Sequence, residues 1–130
     1  MMQIVRLSGE SPELYQLVAP LVMNPSVISA NNNYPFRTSS DFVWFIAVEE
    51  ECVKGFFPIE RRNGKGIINN YYVADNQKQK TMTLLLASAI YEMQDCKNLI
   101  SVTQIPDRPI FEKHGFSVVK EWKRYVKMQR

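Results

Sequence analysis

The stretch that decides the fold is IINNYYVADNQKQKTMTLLLASAIYE, residues Ile67 to Glu92, where strand-forming residues give way to a polar turn with two lysines and then to a helical stripe. Ile67, Ile68, Tyr71, Tyr72 and Val73 are β-branched or aromatic and suit a pleated, half-buried surface. From Met82 the apolar residues Met82, Leu85, Leu86, Ala89, Ile90 and Met93 recur at i, i+3, i+4, i+7, i+8 and i+11, which predicts a helix with one buried face. A helix that opens directly off a strand aims its unpaired N–H groups and the positive end of its dipole into the turn, where Lys78 and Lys80 add formal charge. The turn is therefore a candidate phosphate site.

Upstream of this unit, Gln3 to Leu7 alternates as a first strand and Ser8-Gly9 breaks it. Ser11-Pro12 reads as an N-cap followed by proline in the first turn, opening a helix whose apolar residues Leu14, Leu17, Val18, Leu21 and Val22 keep helical spacing until Asn24-Pro25. Ser26 to Asp41 is polar and aperiodic. Phe42 to Val48 and Cys52 to Arg61 form a hairpin across the acidic turn Glu49-Glu50-Glu51, and Pro58 demands a bulge or an unpaired position in its second strand. Asn63-Gly64 is a strong hairpin turn, leading into the strand from Gly66 to Val73. Downstream, Leu99 to Thr103 reads as a buried strand. Asp107 caps a short helix ended by Gly115, with His114 placed to favour the helix dipole, and Phe116 to Met128 supplies one or two last strands. Hairpins followed by strand, helix, strand, helix, strand predict an α/β fold with a mixed sheet covered by helices.

A chain of 130 residues, 45% hydrophobic and 22% charged, suits one globular domain over residues 1–130. The net charge of +3 is spread along the chain, and the basic tail from Lys120 to Arg130 reads as a solvated strand face rather than a nucleic-acid stripe. Cys52 and Cys96 have no metal-ligand spacing, and the single histidine completes no set with them, so no metal is expected. No apolar run has the length of a membrane span and no leader is recognisable, so a cytoplasmic protein with reduced thiols is expected.

In the turn, Lys78 is followed by Thr81 and Thr83. Further on come Gln104, Phe111 and then Glu112-Lys113-His114-Gly115-Phe116. These segments resemble the GCN5-related N-acetyltransferase (GNAT) family, whose pyrophosphate loop reads Arg or Gln, two residues, Gly, one residue, Gly or Ala. That family often has an Asn at the position of Gln104 and a Tyr at that of Phe111, ahead of Glu-Lys-x-Gly-Phe. The resemblance covers almost the whole chain and implies a central mixed β-sheet of about six or seven strands flanked by about four helices. In that fold the central parallel strands splay apart just past a bulge, which would fall near Asn70, Tyr71 or Tyr72, and the pantetheine of acetyl-CoA enters the gap like another strand.

The resemblance further implies an N-acetyltransferase that takes acetyl-CoA as cofactor and an amine of a small molecule or peptide as acceptor. Tyr72, Val73, Lys78, Gln79, Lys80, Thr81, Met82, Thr83, Gln104 and Phe111 are its candidate cofactor contacts. Acetyl transfer needs a deprotonated amine, donors to the developing oxyanion and an acid for the leaving thiolate. Backbone N–H groups around Tyr71 to Val73 are candidate donors, since a bulged strand leaves some of them unpaired. Phe111 has no proton to give, so Tyr71 and Tyr72, which alternate across the sheet, are the candidate acids, and Glu60 is a candidate base. Tyr34, Phe36, Asn69 and Asn70 are candidate acceptor contacts, the asparagines because Asn is disfavoured in strands. Phe111 and the missing glycines also fit a second reading, a catalytically weak or inactive module that binds acyl-CoA or a protein partner, as monomer or homodimer.

Overall fold

Two tight reversals organise the sheet. Asn63 and Gly64 both have positive φ, 55° and 79°, the backbone of a two-residue turn whose twist matches that of the strands it joins. Glu50 and Glu51 adopt the same sign, at 51° and 67°, so the acidic turn closes a second two-residue hairpin. The computed structural model describes residues 1–130, and around these turns it places β2 (Phe42–Glu49), β3 (Cys52–Arg62) and β4 (Lys65–Ile68) as neighbouring antiparallel strands. β1 (Met2–Ser8) pairs with β2, and β6 (Leu99–Gln104) runs parallel to β4. β8 (Tyr125–Gln129) and β7 (Ser117–Glu121) complete the order β1-β2-β3-β4-β6-β8-β7.

The remaining strand, β5 (Tyr72–Val73), pairs only with β3. Ile59 faces Ile68 and Phe56 faces Tyr72, so three steps along β3 match four along its partner, and one extra residue is looped out. This is the bulge expected near Asn70, where the backbone turns left-handed with φ 58°. Pro58 lies opposite it. The amide of Arg61 donates to Asp41 on the β2 side, so by strand alternation the nitrogen of Pro58 faces the bulge, where no ladder bond is required of it. Gly55 lets β5 approach, since a Cβ there would stand 2.8 Å from the Tyr72 carbonyl oxygen. Counting the bulged run as β4 and β5, and the last segment as two strands, brings the sheet to eight strands rather than about six or seven.

Val43, Phe45, Phe57, Ile59, Ile68, Val126 and Met128 share a core with Met82, Leu85, Leu86 and Ala89 of α3 (Lys78–Glu92) and Phe111 of α4 (Arg108–Lys113). The alternate residues Trp44, Ile46 and Phe56 pack with Leu14 and Val18 of α1 (Pro12–Val22) on the opposite face. The aperiodic reading of Ser26 to Asp41 is corrected at its start, where Pro25–Ala30 forms α2. Asn24-Pro25 does end α1, but the same pair begins the next helix: the Asn24 side chain accepts from the Ser26 amide at 2.8 Å and Pro25 fixes the first-turn φ. Ser11 stands at the cap position of α1 but gives its hydroxyl to the Glu13 carboxylate, which holds the Glu13 pKa below its usual range. The ring Nδ1 of His114 donates to the Ile110 carbonyl at 2.9 Å, at the C-terminal end of α4. No helix is long and apolar enough to cross a membrane.

Candidate functional site

Past Ile68 and Ser101 the parallel pair β4 and β6 is no longer bonded, because the bulge carries the chain over to β3 while β6 continues to Gln104. The ladder of β5 lies on its β3 side. Ala74 N–H donates to Lys54, so by alternation the Val73 N–H points the other way, into the gap toward β6. At the far end of the gap stands the first turn of α3. Thr81 N–H is bonded to the Gln77 carbonyl and Lys78 N–H to that of Asp75, while the amides of Gln79 and Lys80 have no protein partner. Gln77, at the cap position, is left-handed with φ 58° and makes no side-chain cap, so these amides are left without a protein acceptor at the positive end of the helix.

Three cavities follow the gap. The first, about 230 Å³, lies between the start of α3 and α4 and is lined by Lys78, Gln79, Met82, Asp107, Ile110 and Lys113 among others. The second, about 350 Å³, is lined by Tyr71, Tyr72, Val73, Lys78, Gln104 and Asp107 on the sheet side and by Val27, Ala30 and Asn31 of the α2 region. The third, about 720 Å³, is an open cleft formed by Asn32, Tyr34 and Arg37 of the loop after α2, by Asn69, Asn70 and Val102 of the sheet, and by Trp122 to Tyr125 of the β7–β8 turn. Side-chain contacts stand at the boundaries. Lys78 and Asp107, an ion pair at 3.0 Å, line both the first and second cavities. Asn31 of the second donates to the side chain of Asn70, which lines the third, at 3.0 Å.

Tyr71 and Tyr72 divide as strand alternation predicts. Tyr71 is buried, its hydroxyl donating to Asp107 at 2.5 Å and accepting the Gln104 amide at 3.0 Å, so that it ties β6 to the bulge. Burial and the neighbouring Asp107 carboxylate push its phenol well above the ordinary tyrosine range, and it holds its proton. Tyr72 packs on Phe56 with ring centroids 5.7 Å apart, lines the second cavity, and has a hydroxyl with no protein partner. Gln104 lines the same cavity and donates to the Ala30 carbonyl at 3.4 Å.

Other sequence-derived candidates land elsewhere. Phe111 is fully buried among Phe57, Tyr71 and Phe116, at centroid distances of 6.2, 5.9 and 5.3 Å, and lines none of the three cavities. It is a core residue, and in this structure the aromatic cluster under α4 leaves none of its surface open to a cavity. Phe111→Tyr is therefore expected to leave a buried hydroxyl without a partner, at about 1–3 kcal/mol, with no gain in any acyl transfer. Urea denaturation and a thiol-release assay check both halves, and a faster enzyme of unchanged stability would contradict it.

Thr81 is buried and donates to the Gln77 carbonyl at 3.1 Å, and Thr83 donates to Gln79 at 2.9 Å, so neither hydroxyl is offered to an anion. Lys78 is held by Asp107, while Lys80 is exposed and lines no part of the gap. Glu60 is bound by Arg62 through both oxygens, at 2.9 and 3.0 Å, and shares no cavity with Tyr71 or Tyr72. Phe36 packs edge-on to Phe56 at 5.1 Å within the α1-side core, whereas Tyr34, Asn69 and Asn70 do line the cleft. Sequence reasoning missed Asn31, Lys113, Arg37, Lys123 and Arg124 as cavity residues. The run of three asparagines was the only signal for the first.

A mixed sheet whose central parallel strands part at a bulge, with a helix opening on the gap, is the fold of the GNAT acyl-CoA N-acyltransferases. Solved structures agree. ElaA of Escherichia coli superposes with a TM-score of 0.74 at 16% identity over 100% of this chain and 99% of that one. An acyl-CoA N-acyltransferase from Pseudomonas aeruginosa gives 0.73 at 15% over 100% and 99%. A GNAT family acetyltransferase from Elizabethkingia anophelis, solved with acetyl-CoA bound, gives 0.66 at 15% over 98% and 96%. No protein-family model matches the sequence, and no curated protein matches it in sequence.

Proposed function

We propose that this protein transfers an acetyl group from acetyl-CoA to the amine of a small molecule or peptide. The observation that carries the reading is the alignment of three cavities through the strand gap, with unpaired amides at Gln79 and Lys80 beside one end and an open cleft at the other. An acyl-CoA fits that shape and chemistry. The Gln79 and Lys80 amides with Lys113 suit its diphosphate, and the walls of the second cavity suit its pantetheine arm. When bound it supplies a thioester, whose carbonyl carbon the acceptor amine attacks as the C–S bond breaks.

The residues of the chain have separable roles in this reaction. The Val73 N–H, free on the gap side of β5, is the donor for the developing oxyanion. Tyr72, with an uncommitted hydroxyl on the second cavity, is the proton donor to the thiolate, a part Tyr71 cannot take while its proton is held by Asp107. Asn31 and Asn70 stand where the acceptor nitrogen meets the acyl group, and the open cleft carries the nitrogen's released proton to solvent.

One observation favours the second reading, a binding module of low or no activity: with Phe111 in the core and Tyr71 committed, the second cavity keeps a single uncommitted tyrosine hydroxyl, that of Tyr72. Thiol release from acetyl-CoA, followed with a broad amine panel, separates the two. Amine-dependent release supports the transferase. CoA binding without any amine-dependent release establishes the module instead.

A further inference from the structure

We infer that the acceptor amine also carries an anionic group, a carboxylate or a phosphate, which the open cleft holds through Arg37, Lys123 and Arg124. The inference rests on the transferase reading for the word acceptor, but the anion site rests on the cleft alone. Three cations line one cavity of about 720 Å³ and no carboxylate lines it. None of the three is in an ion pair; the one side-chain bond among them runs from Arg124 to the Asn32 carboxamide oxygen at 3.3 Å. Of the carboxylates on the flanking strands, Glu60 is paired with Arg62 at 2.9 Å and lines only a pocket of about 10 Å³ beside the cleft, which it shares with Arg37, Asn69 and Asn70, and Glu121 is paired with Arg108 at 3.3 Å. Like charges gathered in one concavity repel one another, and the arrangement is relieved when an anion enters.

The walls add a second requirement. Tyr34 and Tyr125 meet edge to face at 6.3 Å, and Trp122 is 42% exposed at the rim with the Lys120 ammonium 5.5 Å from its ring centre. Such surfaces favour an apolar or aromatic body between the anion and the amine. Arginine forks take carboxylate or phosphate oxygens in pairs, which fixes the orientation of that body and turns the amine toward Asn31 and Asn70. The same positive field disfavours the ammonium form of a bound amine, so nucleophilic nitrogen is available without a dedicated carboxylate base. This accounts for a cleft whose lining includes no carboxylate, with Glu60 beside it and held by Arg62. A polyamine or a lysine-rich peptide meets repulsion here.

Calorimetric titration with N-acetyl-L-phenylalanine, its neutral amide, phenyl phosphate and spermine tests the inference without requiring turnover. The acid is expected to bind about tenfold or more tightly than the amide, as a charge-assisted hydrogen bond does against a neutral one, and added salt should narrow the difference. The order of the acid and phenyl phosphate tells carboxylate from phosphate. In the combined variant Arg37→Gln, Lys123→Gln, Arg124→Gln the preference should fall to about twofold or less with the urea midpoint unchanged; the single Arg37→Gln, which should lose part of the preference, serves if the combined variant does not fold. Equal binding of acid and amide, tighter binding of spermine, or no binding of either anion overturns the inference. An acid preference in a protein that fails to bind CoA would sustain the anion site and overturn the transferase reading.

Discussion

Tyr72→Phe is expected to lower amine-dependent thiol release by about a hundredfold or more, the range typical of a lost general acid, while CoA affinity and folding stability stay near those of the parent. The reasoning is one of elimination among hydroxyls. Phe111 has none, and Tyr71 already donates its proton to Asp107 at 2.5 Å. Of the tyrosines that line the second cavity, Tyr72 alone has its hydroxyl free of protein partners, and the other hydroxyl there, that of Ser26, is a more weakly acidic alcohol. Its ring packs on Phe56, and that contact survives in phenylalanine. Steady-state rates at saturating acetyl-CoA check the result. Unchanged turnover would assign the thiolate proton to water and leave Tyr72 as a wall of the cavity.

Tyr71→Phe should act on stability instead. Removing the hydroxyl strips the buried Asp107 carboxylate of a donor and leaves the Gln104 amide without its acceptor. A hydrogen bond to a charged partner is worth about 1.5–3 kcal/mol and an orphaned polar group costs a similar amount, so the variant should lose about 2–4 kcal/mol by urea denaturation. The pH dependence carries a sign of its own. Tyr71 has its pKa raised in the folded protein by burial and by Asp107, so its contribution is complete below the ordinary phenol pKa of about 10 and is lost as pH rises above it. Above about pH 10 the parent should therefore lose stability more steeply than Tyr71→Phe. Parallel alkaline profiles would contradict that account.

The parts of the fold that local chemistry dictates were readable from sequence. Asn63-Gly64 formed the expected turn, the stripe from Met82 to Met93 was buried in the α3-side core, and the bulge fell on Asn70 beside the strand residues that framed it. What was not readable required knowing who meets whom across the sheet. Lys78 reads as a phosphate ligand until the start of α4 brings Asp107 within 3.0 Å of it. Phe111 aligns with an acid position, but an alignment conveys a place along α4 and not the closed aromatic pocket around it. Thr81 and Thr83 read as intrusions into a loop, whereas the helix begins earlier, at Lys78, and their hydroxyls turn back on it. The cleft was the least legible, because Arg37 comes from the loop after α2 while Lys123 and Arg124 come from the last hairpin, and in the sequence those two belong to an ordinary basic tail.

The central claim is that the gap between β5 and β6 receives an acyl-CoA with its diphosphate at the start of α3. Amide hydrogen exchange with and without saturating CoA tests it most directly, because the relevant amides are identified individually: Val73 on the gap side of β5, and Gln79 and Lys80 in the first turn of α3, none with a partner in the protein. The account predicts that these three exchange freely in the unliganded protein and slow when CoA is added, while the β1–β2 ladder is unaffected. Failure of CoA to bind at millimolar concentration, or protection that leaves all three amides unchanged, would contradict it.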